Sequence, residues 1–357
     1  MYKTLKVFTL ISLVLFTCSY ITYSVEPNDT VLQTANPLPV EVTPAPEPVP
    51  AAAPAVEPTP EQPVSSQPDE VQLQAASDFS KEIEAIVMNR IDSFYKNSGK
   101  GTMGIYIKEL NTGFEYAYNA EKTNLDNPEE GYFNTASTCK LLSAAVMYHM
   151  NNCGELELDK TYTDRITKSQ YNLKKILPRM ISHSVNDYFN ITLRHLGSEL
   201  INDTLRKLGT RHSLVYSEIM PAQGTSVKNN IKRYGISRSP RTTPRDLGYV
   251  LDLLYAGKTF GVDNDKLFME SLLDNVYSNR LPAGVDYRSP VAHKTGTSSG
   301  EGVYNDAGII FLEGNPYIMV IMSKGSGSNV QSLFRSITRE VYDCMKKRTE
   351  GQSSTPQ

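Results

Sequence analysis

The spacing of apolar and polar residues predicts a series of helices and strands from residue 80 onwards. Within residues 80–97 apolar side chains recur every three or four positions, which is typical of a helix. The runs TMGIYIKEL and FEYAYN, separated by Asn111-Thr112-Gly113, predict a β-hairpin. The continuous apolar run in ASTCKLLSAAVM, from residue 136 to 147, predicts a buried helix.

The second half of the chain changes from helical to strand-like patterning. The pattern is mostly helical between residues 151 and 230, and a further helix is predicted to start with Thr243 as its cap and Pro244 in its first turn. Another helix is predicted over 263–276. The runs PVAHKTGT, GVYNDAGIIFLEG and PYIMVIMSKG then predict three strands, followed by a last helix over 330–347.

These elements predict an α+β protein. The simplest arrangement is one antiparallel, five-stranded sheet that combines the early hairpin with the three late strands, flanked by helices and joined to an all-helical lobe. A functional site is expected in the cleft between the two parts.

The N-terminal part of the chain is expected to lie outside this fold. Lys3 and Lys6 precede an apolar run, so residues 1–25 are predicted to be a signal peptide or a membrane anchor, with a tether possible through residues 7–23. This predicts an extracytoplasmic protein, secreted or anchored. Cleavage or simple anchoring is favoured over lipid attachment at Cys18, because Thr17 stands where a lipoprotein box has Gly, Ala or Ser.

Proline-rich sequence without lysine or arginine follows the leader. We expect residues 26–78 to be a disordered linker, 79–348 to be the folded domain and 349–357 to be a disordered tail.

Charge and composition exclude some functions. The net charge of −3 and the absence of a basic stripe argue against a nucleic-acid partner. The five histidines are scattered without metal-ligand spacing, and GTSSGEG lacks the lysine of a phosphate-binding loop, so no metal or other cofactor is expected. Cys139 and Cys153 could be linked, although a packed thiol at Cys139 is the simpler interpretation.

Three short motifs carry candidate chemistry: Ser137 with Lys140, Ser184 with Asn186, and Lys294-Thr295-Gly296. A serine needs a base to become a nucleophile, and a lysine one helical turn away supplies one if burial and a second cation lower its pKa. Lys294 is the candidate second cation.

The remaining residues of the motifs have expected roles. Gly296 would let its strand approach the nucleophile closely. Ser184 could relay a proton, and Asn186 could bind a substrate carbonyl. Backbone N–H groups of Ser137 and Thr297 could form an oxyanion hole.

Each motif also has a structural interpretation. Lys140 could reach solvent from a core helix, Ser184-Val185-Asn186 could cap a helix, and Lys294 could be an exposed strand residue. A Ser–His–Asp triad using His183 or His293 is a further alternative. The joint order of the three motifs favours the serine–lysine chemistry.

At these residues the sequence resembles the class A β-lactamases and the related penicillin-recognising serine enzymes, over residues 79–347. FNTASTCKLLSAAVM resembles the nucleophile helix, Asn190 falls at a structural asparagine of the family, and the late strands resemble its C-terminal sheet. The resemblance implies a β-lactamase/DD-peptidase-like fold, Ser137 as the acylated nucleophile, Lys140 as the acylating base, and Thr295 against the substrate carboxylate.

The chain departs from the family pattern at several positions. Val185 replaces the usual aspartate. Glu218 falls at the spacing of the residue that activates the deacylating water, but Tyr216 and Ala222 replace the arginine and asparagine that flank it. The loop from Gly209 to Pro244 is also longer than usual, and its cationic residues include Lys228, Lys232 and Arg233.

We therefore predict an exported, monomeric serine hydrolase that is acylated at Ser137 and hydrolyses β-lactams, with Glu218 as the candidate base for deacylation. A DD-peptidase or penicillin-binding protein acting on D-alanyl-D-alanine peptides is the first alternative. A tethered wall-binding module with little turnover is the second.

Overall fold

A computed structural model describes residues 70–97, 99–121, 131–219 and 240–353. The predicted leader, most of the predicted linker, and Ala222, Lys228, Lys232 and Arg233 lie outside the described residues. None of the described helices combines the length and the apolar composition that a membrane-crossing segment needs.

A five-stranded antiparallel sheet forms the centre of the fold, as predicted. Its strands are β1 (Thr102–Glu109), β2 (Glu115–Tyr118), β7 (Val291–Ser298), β8 (Val303–Ile310) and β9 (Tyr317–Lys324). Their order in the sheet is β2-β1-β9-β8-β7, so the early hairpin joins the three late strands through β9.

Both faces of the sheet are buried, and alternate residues of β9 face opposite cores. Tyr317, Met319 and Ile321 belong to one core, whereas Ile318, Val320 and Met322 belong to the other. Successive strand residues point to opposite faces, so a strand covered on both sides reads as a continuous apolar run. This explains the sequence YIMVIM.

Two long helices cover one face of the sheet. They are α1 (Glu70–Lys96) and α8 (Val330–Ser353), which pack against each other across the first core. Burial of Ile83, Val87 and Ile91 matches the predicted helical periodicity. Helix α1 nevertheless starts well before residue 80, inside the predicted linker, and α8 continues beyond the predicted end at residue 347.

A group of helices covers the other face and forms the predicted helical lobe. The central one, α2 (Cys139–Asn152), is buried nearly all round. Around it lie α3 (Leu173–Ser182), α4 (Asn186–Leu196), α5 (Ser198–Leu208), α6 (Pro244–Ala256) and α7 (Val262–Leu273). Thr243 caps α6 as predicted, because its hydroxyl accepts a hydrogen bond from Asp246 N at 3.2 Å.

Two short ribbons were not predicted. One joins β3 (Phe133–Asn134) to β6 (Arg241–Thr242), and the other joins β4 (Thr161–Thr163) to β5 (Gln170–Asn172). Pairs of two or three residues are too short to produce an alternating pattern. Cys139, Cys153 and Cys344 are free thiols, so the alternative of a Cys139–Cys153 bond is wrong.

Candidate active site

Ser137 and Lys140 lie together where the chain enters the central helix. Ser137 belongs to a 3-10 turn, Ala136–Thr138, that continues directly into α2. The Lys140 Nζ atom lies 2.8 Å from Ser137 Oγ. Lys140 is fully buried, which contradicts the alternative that its amine reaches solvent.

The second motif lies at the turn between α3 and α4. Lys140 Nζ donates to Asn186 Oδ1 at 2.8 Å and to Ser184 Oγ at 3.4 Å. Val185 is the N-cap of α4 and makes no side-chain cap, so the alternative of simple helix-capping chemistry does not describe this motif. The polar groups of Ser184 and Asn186 are instead directed at the buried amine.

Lys294 reaches the same place from strand β7. Its Nζ donates to Ser184 Oγ at 3.0 Å and to its neighbour's carbonyl, Thr295 O, at 2.9 Å. Lys294 is also fully buried, so the alternative of an exposed strand lysine is wrong. The structure therefore brings Ser137, Lys140, Ser184, Asn186 and Lys294 into one hydrogen-bonded group.

The two lysines have low proton affinity for a physical reason. Burial lowers the pKa of Lys140 to about 8. Burial, and after it the positive charge of Lys140, lower the pKa of Lys294 to about 7. Two buried amines this close titrate as a pair, so near neutral pH one can be uncharged and act as a base.

Gly296 lets β7 approach the nucleophile turn. A Cβ atom placed at Gly296 would lie 2.6 Å from Thr135 O, 3.0 Å from Thr138 N and 3.2 Å from Ser137 N. Such contacts with backbone atoms leave no room for any side chain. The predicted close approach is therefore a feature of the structure.

Backbone strain is found beside both hydroxyls. Ser184 has φ of +57° and Ala136, next to Ser137, has φ of +42°. Left-handed conformations are unfavourable for residues other than glycine, and they persist where surrounding contacts enforce them. Here they hold both hydroxyl groups at the amines.

Two residues that support the site were not predicted. Asn305, on β8, donates from Nδ2 to Asn134 O at 2.9 Å and to Thr135 O at 3.0 Å, which fixes the backbone before Ser137. The buried Arg280 donates to Gly296 O at 3.0 Å and to Thr297 Oγ1 at 2.6 Å. A lone arginine in NRLPAG carries no spacing signal that would have identified it.

The histidines occupy other positions. His183 Nδ1 lies 2.8 Å from Ser182 Oγ, and His293 Nδ1 lies 2.8 Å from Asp306 Oδ1. Neither histidine has a hydrogen bond to Ser137 or Ser184, so the described contacts do not assemble the alternative triad. Within the described ranges, no group of His, Cys, Asp and Glu is placed to hold a metal ion.

Glu218 is nearly buried and lies in an ion pair. Its Oε1 atom is 3.2 Å from Arg194 Nη1, and Arg194 also binds Asp164 through Nε at 3.0 Å and Nη2 at 2.5 Å. The next residue, Ile219, is held by Asn190, whose side chain donates to Ile219 O at 3.0 Å and accepts from Ile219 N at 2.9 Å. Lys140 is bonded to the two serines and Asn186 rather than to Glu218.

Comparison with known proteins agrees with this architecture. A structure of a point mutant of PBP-A, determined as an acyl-enzyme complex with penicillin G, matches with a TM-score of 0.60 and 20% identity over 76% of this chain and 97% of that chain. A β-lactamase from Xanthomonas campestris matches with a TM-score of 0.61 and 18% identity, over 74% and 98% of the two chains. An ancestral class A β-lactamase matches with a TM-score of 0.59 and 21% identity, over 72% of this chain and 99% of that chain. Comparison with curated proteins found no match.

The five-stranded sheet with its helical lobe is thus the fold shared by β-lactamases and penicillin-binding proteins. A family model for the β-lactamase enzyme family matches residues 79–345. The chain belongs to this family.

Proposed function

We propose that this protein is a serine hydrolase that is acylated at Ser137 by β-lactams and releases the opened product by hydrolysis. The observation that carries this proposal is the 2.8 Å separation of Lys140 Nζ from Ser137 Oγ inside a fully buried, two-lysine group. A lysine whose pKa is about 8 can take the serine proton at neutral pH.

The proposed acylation uses the remaining members of the group in sequence. Uncharged Lys140 accepts the proton of Ser137 Oγ as this oxygen attacks the lactam carbonyl. The ring C–N bond then breaks, and Ser184, which is hydrogen-bonded to both amines, passes its proton to the departing nitrogen and is reprotonated by Lys140, which returns the proton taken from Ser137. Lys294 and Thr295 bind the substrate carboxylate, and N–H groups of Ser137 and Thr297 bind the developing oxyanion.

Deacylation is proposed to use Glu218 to activate water. Burial and the contacts of Glu218 and Ile219 give this carboxylate a fixed position against Arg194, near the end of α4. The ion pair of Glu218 with Arg194 favours a second candidate, a penicillin-binding DD-peptidase with a long-lived acyl-enzyme, because Arg194 lies about two helical turns along α4 from Asn186, which contacts Lys140. Export, a membrane tether and the monomeric state remain part of the proposal.

Time-resolved mass spectrometry of the intact protein mixed with penicillin G tests the proposal. We expect a penicilloyl adduct on Ser137 that forms and then decays with release of hydrolysed drug. Ser137→Ala should show no adduct, and an adduct on this variant would overturn the assignment of the nucleophile. A persistent adduct on the unaltered protein, with release of D-alanine from a D-alanyl-D-alanine peptide, would favour the second candidate. A persistent adduct without that release would favour a wall-binding module.

A further inference from the structure

A buried arginine is shared between two buried carboxylates near the end of α4, the helix whose first residue contacts Lys140. The side chains of Arg194, Asp164 and Glu218 are 8%, 1% and 2% exposed. The carboxylate of Asp164 accepts hydrogen bonds from Nε and Nη2 of the guanidinium, and Glu218 forms an ion pair with the third nitrogen, Nη1. Asp164 is itself fixed in the β4–β5 turn, where it accepts from Ile166 N and Thr167 Oγ1.

Helix α4 connects this cluster to the acylation group. Asn186, Asn190 and Arg194 follow one another at intervals of four residues and so lie along one face of the helix. The first accepts from Lys140 Nζ, the second binds the backbone of Ile219, and the third binds Glu218. One rigid element therefore sets the position of the loop carboxylate relative to the buried amine.

The backbone on both sides of Glu218 is also held by asparagines. Asn202, on α5, donates to Val215 O at 3.1 Å and accepts from Val215 N at 2.8 Å. Asn190 makes the same pair of bonds with Ile219. These two contacts fix the main chain from 215 to 219, and the guanidinium of Arg194 then fixes the direction of the Glu218 side chain between them.

We propose that Arg194 is a positioning residue for deacylation: by holding the Glu218 carboxylate it determines how long the acyl-enzyme persists, without taking part in acylation. This inference rests on the proposed function of Glu218. Asp164 assists by holding the planar guanidinium in the one orientation that leaves Nη1 for Glu218. Lysine cannot replace this arrangement, because an ammonium lacks the rigid fork that binds two carboxylates at fixed angles.

The test measures acylation and deacylation separately in the full-length protein. The rate of adduct formation with a fluorescent penicillin gives acylation, and the decay of the adduct after removal of excess drug gives deacylation. The variants are Arg194→Lys, Glu218→Gln and the two combined. Asp164→Asn with Arg194→Gln is a second route that removes the arginine with one of its carboxylates, in case Arg194→Lys folds poorly. Arg206→Lys, an exposed arginine paired with Asp203 on α5, is the matched control.

We expect Arg194→Lys to form the adduct within about twofold of the unaltered rate and to lose it at least tenfold more slowly. The combined variant should be no slower than Glu218→Gln alone, because Arg194 acts through that carboxylate. Arg206→Lys should change neither rate.

Three outcomes would contradict this inference at different levels. Normal deacylation in both arginine-removing variants, with slow deacylation in Glu218→Gln, would remove Arg194 and leave the proposed function intact. Normal deacylation in Glu218→Gln would remove the role of Glu218 and this inference with it. Absence of any adduct on the unaltered protein would overturn the proposed function itself.

Discussion

Lys140 and Lys294 converge on a single hydroxyl: their amine nitrogens lie 3.4 and 3.0 Å from Ser184 Oγ, although the lysines are 154 positions apart in the sequence (294 − 140). Two buried ammonium groups that both contact one hydroxyl oxygen repel each other, which makes protonation of both amines at once unfavourable. Near neutral pH the group therefore holds one uncharged amine that can act as a base and one cation that can bind an anionic substrate.

The titration of this pair predicts the pH dependence of acylation. The rate should rise with pH as the pair, whose lysines have pKa values of about 7 and about 8, loses its first proton, and fall as it loses its second proton and with it the cation that binds substrate. We expect a bell-shaped profile with apparent pKa values that belong to the pair. The rate of adduct formation between pH 5 and 10 checks this.

Lys294→Arg supplies the control, because an arginine keeps its charge throughout this range. The falling limb should disappear in that variant while the rising limb remains. A profile without a rising limb would contradict the role of Lys140 as base.

The buried amine should also reduce the stability of the fold. In the folded protein the pKa of Lys140 is about 8, against an ordinary value of 10.5, so between these values the unfolded chain binds more protons. The contribution of Lys140 to the free energy of unfolding should therefore rise with pH over this range, and its destabilising effect is fully present below about pH 8.

Lys140→Met removes this penalty at nearly constant volume. We expect it to abolish acylation and to raise the free energy of unfolding at pH 7 by about 1–3 kcal/mol, measured by urea denaturation. Lys81→Met, at an exposed lysine on α1, is the control and should change little. A Lys140→Met protein that is less stable at pH 7 would show that its hydrogen bonds outweigh the desolvation cost.

Gly296 should tolerate no side chain. A methyl group there would meet Thr135 O at 2.6 Å, the same carbonyl oxygen that Asn305 holds from the neighbouring strand. We expect Gly296→Ala to reduce acylation at least a hundredfold, because β7 or the nucleophile turn must move. Adduct formation with fluorescent penicillin measures this.

Gly300→Ala is the matched control, since a Cβ at that position would meet nothing within 4 Å. It should acylate normally. Normal acylation of Gly296→Ala would mean that the strand can retreat without disturbing Ser137.

Asn190 and Asn202 each hold one residue of the 215–219 loop by two hydrogen bonds, so removing either side chain costs a similar set of contacts. Asn190→Ala and Asn202→Ala each remove a buried side chain that makes two hydrogen bonds to one loop residue, so each should lower the free energy of unfolding by about 1–3 kcal/mol. Asn190→Ala should also slow deacylation more than Asn202→Ala does, because Asn190 binds Ile219, the residue next to Glu218. Equal deacylation rates in the two variants would contradict this.

The sequence was sufficient for the sheet, the main helices and the meeting of the three motifs. Strands buried on both faces and a helix buried nearly all round leave unmistakable apolar runs, and Gly296 indicated a close approach of backbones. These features depend on local pattern and on side-chain types with few alternative roles.

Other parts of the site depend on contacts that no local pattern encodes. Arg194 and Asp164 are 30 positions apart (194 − 164), and each alone resembles an ordinary surface charge. The role of Arg280 is likewise visible only in the structure, where it donates to the carbonyl oxygens of Gly296 and Asn305 and to the hydroxyl of Thr297. The early start of α1 was missed because the preceding proline-rich composition suggested that helix formation would begin later.

The position of β9 has a consequence for synthesis. This strand is the last of the sheet to be translated, yet it lies at the centre, between β1 and β8. A growing polypeptide therefore cannot join the hairpin to the remaining strands until residue 324 is available, and pairings of such large sequence separation form slowly. Reactivity toward an acylating drug should accordingly emerge only when almost the entire chain has been made.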